Sequence, residues 1–256
     1  MTVMAADPSA EQLRRFGGSA RLLGDAGLAR LRAAHVAVIG IGGVGSWAAE
    51  ALARSGVGAL TLIDEDQVAE SNINRQVHAL DSTVGAAKVQ VMEERLSQIS
   101  DALIHSVESF VTPQNAPELI PVAADVIIDA IDQTSAKAAV IALARERQVP
   151  VLVCGAAGAR LDPLKLTRGD LASTTGDALL ASVRARLRRH HGFSREKGRR
   201  FGVTAIYSTE QPQGDAPGSA GDFPLACAGY GSMMTVTAAM GMAAAGDAIG
   251  VIAGRR

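Results

Sequence analysis

Short apolar runs alternate with stretches of helical spacing over the first 150 residues. The runs are 35–39 (HVAVI), 59–63 (ALTLI), 103–107, 125–130 (DVIIDA) and 149–153 (VPVLV). Between them, 22–32, 46–54, 86–99 and 135–147 read as helices. Strands that are apolar throughout, rather than alternately polar, are buried on both faces. Their alternation with helices predicts a Rossmann-like, doubly wound, mainly parallel α/β sheet. Right-handed crossovers then gather the strand C-termini at one edge, where ligands bind.

Past residue 155 the pattern changes. Residues 158–170 read as loop with a short strand around 164–166, 177–191 as a helix and 201–207 as a strand. Residues 210–222, rich in Pro, Gly and Ser, read as a loop, and 228–246 as a helix. The expected organisation is one domain over 12–256 with a C-terminal α/β extension. Residues 35–155 form its nucleotide-binding core, 156–256 a substrate or dimer part, and 1–11 a flexible N-terminus. The stretch 233–253 is apolar except for Asp247, but its uncharged run over 233–246 falls short of the roughly 20 residues a membrane span needs. It reads as a buried core or dimer helix.

Composition narrows the possibilities. Aromatic residues are 3% of the 256 and glycines number 27, so the core must be built from Ala, Val, Ile and Leu. The net charge of −1 excludes a protein coated with positive charge and leaves room for a local basic patch. Two cysteines exclude a disulfide framework and a four-cysteine zinc site. Residues 1–16 carry Asp7, Glu11, Arg14 and Arg15 with no apolar export segment, which with the free thiols predicts a cytoplasmic protein.

The chemistry gathers after the first strand. Gly40-Ile41-Gly42-Gly43-Val44-Gly45 satisfies G-x-G-x-x-G, with Gly40, Gly42, Gly43 and Gly45 permitting close backbone approach to phosphates at a helix N-terminus. Asp64 ends the next strand, where a carboxylate accepts from a ribose hydroxyl. A glycine loop plus an acid is also the dinucleotide fingerprint. The following residues, Asp66, Asn72, Asn74, Arg75 and Lys88, favour a triphosphate, because Arg75 and Lys88 offset charge that NAD does not carry. Asp132, just past DVIIDA at the same edge, is a Mg²⁺ candidate. Farther on, 184–200 (RARLRRHHGFSREKGRR) concentrates eight Lys or Arg against one Glu. Its Arg184, Arg188, Arg189, Arg195, Lys197, Arg199 and Arg200 are candidate RNA phosphate contacts, and Phe193 is either a base-stacking ring or a helix-end anchor.

GIGGVGSWAAEALARSGVG, LIDEDQVAESNINRQVHAL, VGAAK and DAIDQ together resemble the ubiquitin-activating-enzyme-like superfamily of adenylating enzymes. RFGGSARLLG, SNINRQVHAL and CAGYGSMMTVTAAMG narrow the resemblance to the tRNA threonylcarbamoyladenosine dehydratases, over about 12–250. The resemblance implies that the glycine loop underlies the ATP phosphates, that Asp64 holds the ribose, and that Asn74, Arg75 and Lys88 contact phosphates. It implies that Asp132 binds Mg²⁺, that an alkali cation is a further candidate ligand, and that a homodimer supplies an N-terminal arginine to the γ-phosphate. Arg21 is the candidate for that arginine and Arg15 the second. The implied reaction is ATP-dependent, ligase-type dehydration of the threonylcarbamoyl group on the adenosine beside the tRNA anticodon, through an acyl adenylate. A sulfur-acceptor or desulfurase partner is also implied. Cys154 reads as core, Cys227 as packing or a partner contact, and His78 as structural. The alternatives are an adenylyltransferase acting on a ubiquitin-like sulfur carrier, an NAD-dependent oxidoreductase and a nucleotide-sensing scaffold. The missing CxxC pairs and the basic segment count against the first, and the lack of a Tyr-x-x-x-Lys or relay histidine against the second.

Overall fold

The computed structural model describes residues 10–213 and 231–255. The chain opens with helices α1 (Ala10–Leu23) and α2 (Asp25–Ala33), then runs β1 (His35–Ile39), α3 (Gly45–Ser55), β2 (Ala59–Ile63), α4 (Lys88–Ser97) and β3 (Leu103–Val107). A single-turn α5 (Ala116–Leu119) precedes β4 (Val126–Asp129), α6 (Thr134–Arg147) and β5 (Val151–Cys154). The extension adds β6 (Leu166–Asp170), α7 (Ala178–His190), β7 (Thr204–Ser208) and α8 (Met234–Ile252). The seven strands form one sheet in the order β3-β2-β1-β4-β5-β7-β6, parallel except for β6, which pairs antiparallel with β7.

Alternation along each strand sorts the core into two layers. Val36, Val38, Leu60, Leu62, Ile128, Leu152 and Ile206 face one side, under α3, α4 and α8. Ala37, Ile39, Ile63, Ile127, Val153 and Ala205 face the other, under α6 and α7. Both faces of the central strands β1, β2, β4 and β5 are covered, which is why those strands carry few polar residues, whereas the edge strands β3 and β6 are partly exposed and more polar. Small side chains let the helices approach closely. At Gly241 of α8, a Cβ would sit 2.3 Å from the carbonyl oxygen of Val44, just ahead of α3.

Several expected boundaries move; the strand expected over 201–207, for one, is Thr204–Ser208, and the helix expected over 86–99 is Lys88–Ser97. The helix expected over 22–32 is two helices, broken at Gly24, whose φ of 75° is left-handed and open to glycine without strain. Residues Pro163–Lys165 form a 3-10 turn, and the strand expected around 164–166 begins at Leu166. The last helix, expected over 228–246, begins at Met234 and continues to Ile252; positions 228–230 lie outside the described residues. Within it the Asp247 carboxylate lies 3.3 Å from Arg168 of β6. Its length and composition would suit a membrane span, but Val236, Met240, Ala244, Ala245 and Ala248 are buried in the core.

Candidate active site

The glycine loop leaves β1 at Gly40, which turns with φ 85° and packs so tightly on the next strand end that a Cβ would meet Ile131 and Ala130 at 3.0–3.1 Å. At Gly45 the chain crosses itself: a Cβ would lie 1.8 Å from the Gly40 carbonyl oxygen. Only glycine permits that crossing, and it aims the first amides of α3 into the space above the sheet edge. Asp64, at the end of β2, accepts from the Ile41 amide through Oδ2 (2.6 Å) and from the Asp66 amide through Oδ1 (2.8 Å). It therefore ties the glycine loop to the adjacent strand end. Burial pushes its carboxyl above the usual range, against the Lys88 charge and those two amides.

Residues 71–76 cover this loop from above. The Arg75 side-chain carbons pack 3.2 Å from a Cβ position on Gly43, and its guanidinium donates to Ser71 O and Asn74 Oδ1, both at 2.9 Å. The Trp47 indole donates to Arg75 O (2.9 Å), and Asn74 donates to Ser232 O (2.9 Å) just ahead of α8. Lys88, buried at the start of α4, holds Asp66 at 2.6 Å. Asn72 is buried and accepts from the Ala69 amide (3.1 Å), so it shapes this turn. Asp132 is exposed in the turn after β4. The structure thus brings Gly40, Gly42, Gly43, Gly45, Asp64, Asp66, Asn74, Arg75 and Lys88 together around one sheet edge, with Asp132 at the neighbouring strand end.

It does not bring Arg21 or Arg15 there. Phe16 of α1 packs against Gly56, at the far end of α3 from the glycine loop. Arg15 donates to Ile99 O (3.0 Å) beyond the end of α4, and the Arg21 guanidinium folds back toward Gly17.

His78 lies beneath residues 71–76, buried, with neither ring nitrogen hydrogen-bonded among the described residues. Burial, then the charges of Lys88 and Arg95, push its pKa down to about 4, so it is neutral at pH 7. Cys154 is buried in β5, and burial pushes its thiol up to about 12. Cys227 lies outside the described residues.

The basic segment divides into anchors and free charges. Arg184 bonds to Thr174 Oγ1. Arg188 donates to Ser194 O (3.2 Å) and lies over the Phe201 ring. Phe193 is buried edge-on to Phe201, with the Arg145 cation 3.9 Å from its ring centre, so it anchors the segment and offers no face to a base. Arg189, Arg195, Lys197, Arg199 and Arg200 are exposed. Two of these have partners: Arg199 lies 3.6 Å from Glu196, and Arg200 lies 3.6 Å from Asp170.

Sequence reasoning missed one pair at this edge. Asp129, the last residue of β4, and Lys137 of α6 form a fully buried ion pair at 2.8 Å. Asp129 stood inside an apolar run, which was its visible anomaly. Lys137 had the look of an ordinary helix-surface charge.

The ThiF family model matches residues 17–256. A protein of Escherichia coli (strain K12) named tRNA threonylcarbamoyladenosine dehydratase is 44% identical over 247 residues, covering 92% of each chain. The crystal structure of E. coli tRNA N6-threonylcarbamoyladenosine dehydratase in complex with ATP is 42% identical. It covers 95% of this chain and 96% of its own, with a TM-score of 0.86. The complex of that protein with AMP, at the same identity and coverage, gives 0.87. The chain belongs to the ThiF family.

Proposed function

We propose that the protein is an ATP-dependent tRNA threonylcarbamoyladenosine dehydratase, acting in the cytoplasm as a homodimer. The observation that carries this reading is the gathering of a phosphate-cradling loop, Asp64, Arg75 and Lys88 at one sheet edge. The fold around them is shared with a 42% identical structure holding ATP or AMP. Residues 35–155 would form the nucleotide core and 156–256 the part that meets tRNA and the second subunit.

The chemistry explains why such a site uses ATP. A carboxylate repels nucleophiles, and oxide is a poor leaving group. Attack of the carboxylate on the α-phosphate releases pyrophosphate and gives a mixed anhydride whose leaving group is AMP. An atom of the same modification then closes on the activated carbonyl. That closure needs positioning more than a protein nucleophile. In this reading the α3 N-terminus and Arg75 meet negative charge on the phosphates, and Lys88 compensates it from below. Asp64 accepts from the ribose while holding the glycine loop.

The residues present also fit Mg²⁺. This ion takes one or two carboxylates together with substrate phosphates and water, so it needs no all-protein cage. Asp132 offers an exposed hard oxygen at the strand end neighbouring the glycine loop. Bound there, the ion would neutralise charge on the β- and γ-phosphates. The exposed Arg189, Arg195, Lys197, Arg199 and Arg200 would position the tRNA backbone, and a sulfur-relay partner would dock elsewhere.

The test is mass spectrometry of nucleosides from threonylcarbamoyl-modified tRNA incubated with the protein and Mg-ATP. Loss of one water from that nucleoside, only with ATP, is expected. ATP consumption only when a sulfur-carrier protein replaces tRNA would turn the assignment to an adenylyltransferase. Asp132→Ala should fold normally and lose Mg-dependent turnover.

A further inference from the structure

The buried pair of Asp129 and Lys137 asks for a reason. Taking two charges fully out of water is costly, and apolar replacements of similar volume are often as stable or more so. Fold stability alone therefore does not account for it, but its location does. Lys137 Nζ reaches back from α6 to Asp129 Oδ1 (2.8 Å) and to the Asp129 carbonyl oxygen (3.1 Å). Asp129 Oδ1 also accepts from the Ile131 amide (3.2 Å). The Ala130 amide pairs with Ile39 O at 2.8 Å, and the Lys137 amide with Gln133 O at 2.9 Å. Residues 130–133 are thus pinned at both ends and from within. This same turn presses Ala130 and Ile131 against Gly40 and carries Asp132. Asp129 Oδ2 is buried with no partner among the described residues, so the carboxylate depends on Lys137 for its compensation.

We propose that Asp129 and Lys137 are positioning residues that fix the 130–133 turn and thereby place the Asp132 carboxylate for Mg-ATP. The inference rests on the reading of Asp132 as the Mg²⁺ ligand. The pair itself stays beneath the turn, out of contact with the nucleotide.

The test separates placement from stability. Asp129→Asn/Lys137→Met removes both charges and keeps a side-chain oxygen for the Ile131 amide. Calorimetry would measure AMP binding without metal, then ATP binding across a Mg²⁺ titration, with thermal unfolding alongside. The double variant is expected to unfold within a few degrees of the parent and to bind AMP equally well. Its Mg²⁺ half-saturation for ATP binding should rise by about 10- to 100-fold, as when a ligand is deprived of its supporting partner. Lys137→Met alone should show the same Mg²⁺ shift with a lower Tm, because it strands a buried carboxylate. An unchanged Mg²⁺ dependence in a folded variant overturns the proposal. So does a proportional loss of AMP binding, which would assign the pair to the phosphate loop, or failure of both variants to fold. Asp132→Asn, run in parallel, distinguishes the underlying reading: if its Mg²⁺ dependence is unchanged, Asp132 is not the ligand.

Discussion

Two glycines of α8 give the sharpest test of how the glycine loop is held. A Cβ on Gly246 would meet nothing within 4 Å, whereas one on Gly241 would lie 2.3 Å from Val44 O, 3.0 Å from Ala48 N and 3.1 Å from Trp47 Cβ. Replacing glycine by alanine within a helix is worth about 1 kcal/mol where space is open. Gly246→Ala should therefore raise Tm by about 2–4 °C in a chain of this size. At Gly241 the same gain is opposed by a clash with backbone, which cannot swing aside as a side chain can. Overpacking of this kind costs about 1–3 kcal/mol or more, so the net effect is a Tm lowered by up to several degrees. Val44 is the last residue of the glycine loop before Gly45, so pushing α8 off α3 also shifts that loop. A misplacement near 1 Å can cost about 100-fold in rate. The assay is thermal unfolding with and without ATP, together with ATP turnover. If Gly241→Ala is as stable as Gly246→Ala, the close helix packing is not as described. If it is destabilised yet keeps nucleotide affinity and turnover, α8 does not support the loop.

Three further outcomes are expected. His78 has a folded-state pKa near 4 against an ordinary 6.5, so the folded state favours the neutral ring. Its contribution is present above pH 6.5 and is lost as pH falls toward 4, on the order of 3 kcal/mol in all. His78→Leu should flatten the fall in Tm across that window, and an unaltered pH profile would refute the assignment. Cys154, with its thiol pushed up to about 12 and buried, should resist iodoacetamide at pH 8 in the native protein, read by peptide mass mapping; labelling before unfolding would contradict it. Replacing Arg189, Arg195 and Lys197 by alanine should weaken tRNA binding and reduce its log–log salt slope by about 0.7–1 for each RNA phosphate no longer neutralised. An unchanged slope would move the RNA surface elsewhere.

The legible part of the fold was the part written in local pattern. β1 and β2 fall on the expected residues because both sheet faces are covered there, leaving almost no polar alternation to blur their ends; the edge strand β3, only partly covered, also falls where expected. The glycine loop was legible for a different reason: its chain crossing tolerates no Cβ. What stayed hidden depends on interactions between distant residues. Asp247 stood out only as the polar residue of an apolar stretch, and its partner Arg168, 3.3 Å away, lies 79 positions earlier. Arg184 and Arg188 were indistinguishable from free cations until the fold supplied Thr174 and Ser194 as their acceptors. The Asp129–Lys137 pair spans a strand end and a helix, and neither periodicity reports such a link. Phe193 was left between two roles because its partners, Phe201 and Arg145, lie on other elements.

The placement of α1 leads to one last prediction. Phe16 packs at Gly56 and Arg15 bonds at Ile99, so α1 sits at the sheet edge opposite the glycine loop. An arginine on this helix meets the γ-phosphate only if the loop belongs to a second copy related by a two-fold axis. A role for Arg21 at the γ-phosphate therefore requires the homodimer. Arg21→Ala and Asp132→Ala should each abolish turnover as homodimers. When the two variant chains are co-expressed with different tags and purified as a heterodimer, both lesions fall in one site and the other site is intact. That heterodimer should recover about half the parental turnover, as two-fold symmetry requires for one working site of two. A heterodimer as inactive as its parents would show that Arg21 does not act across the interface, and an Arg21→Ala homodimer with full turnover would remove it from the site altogether.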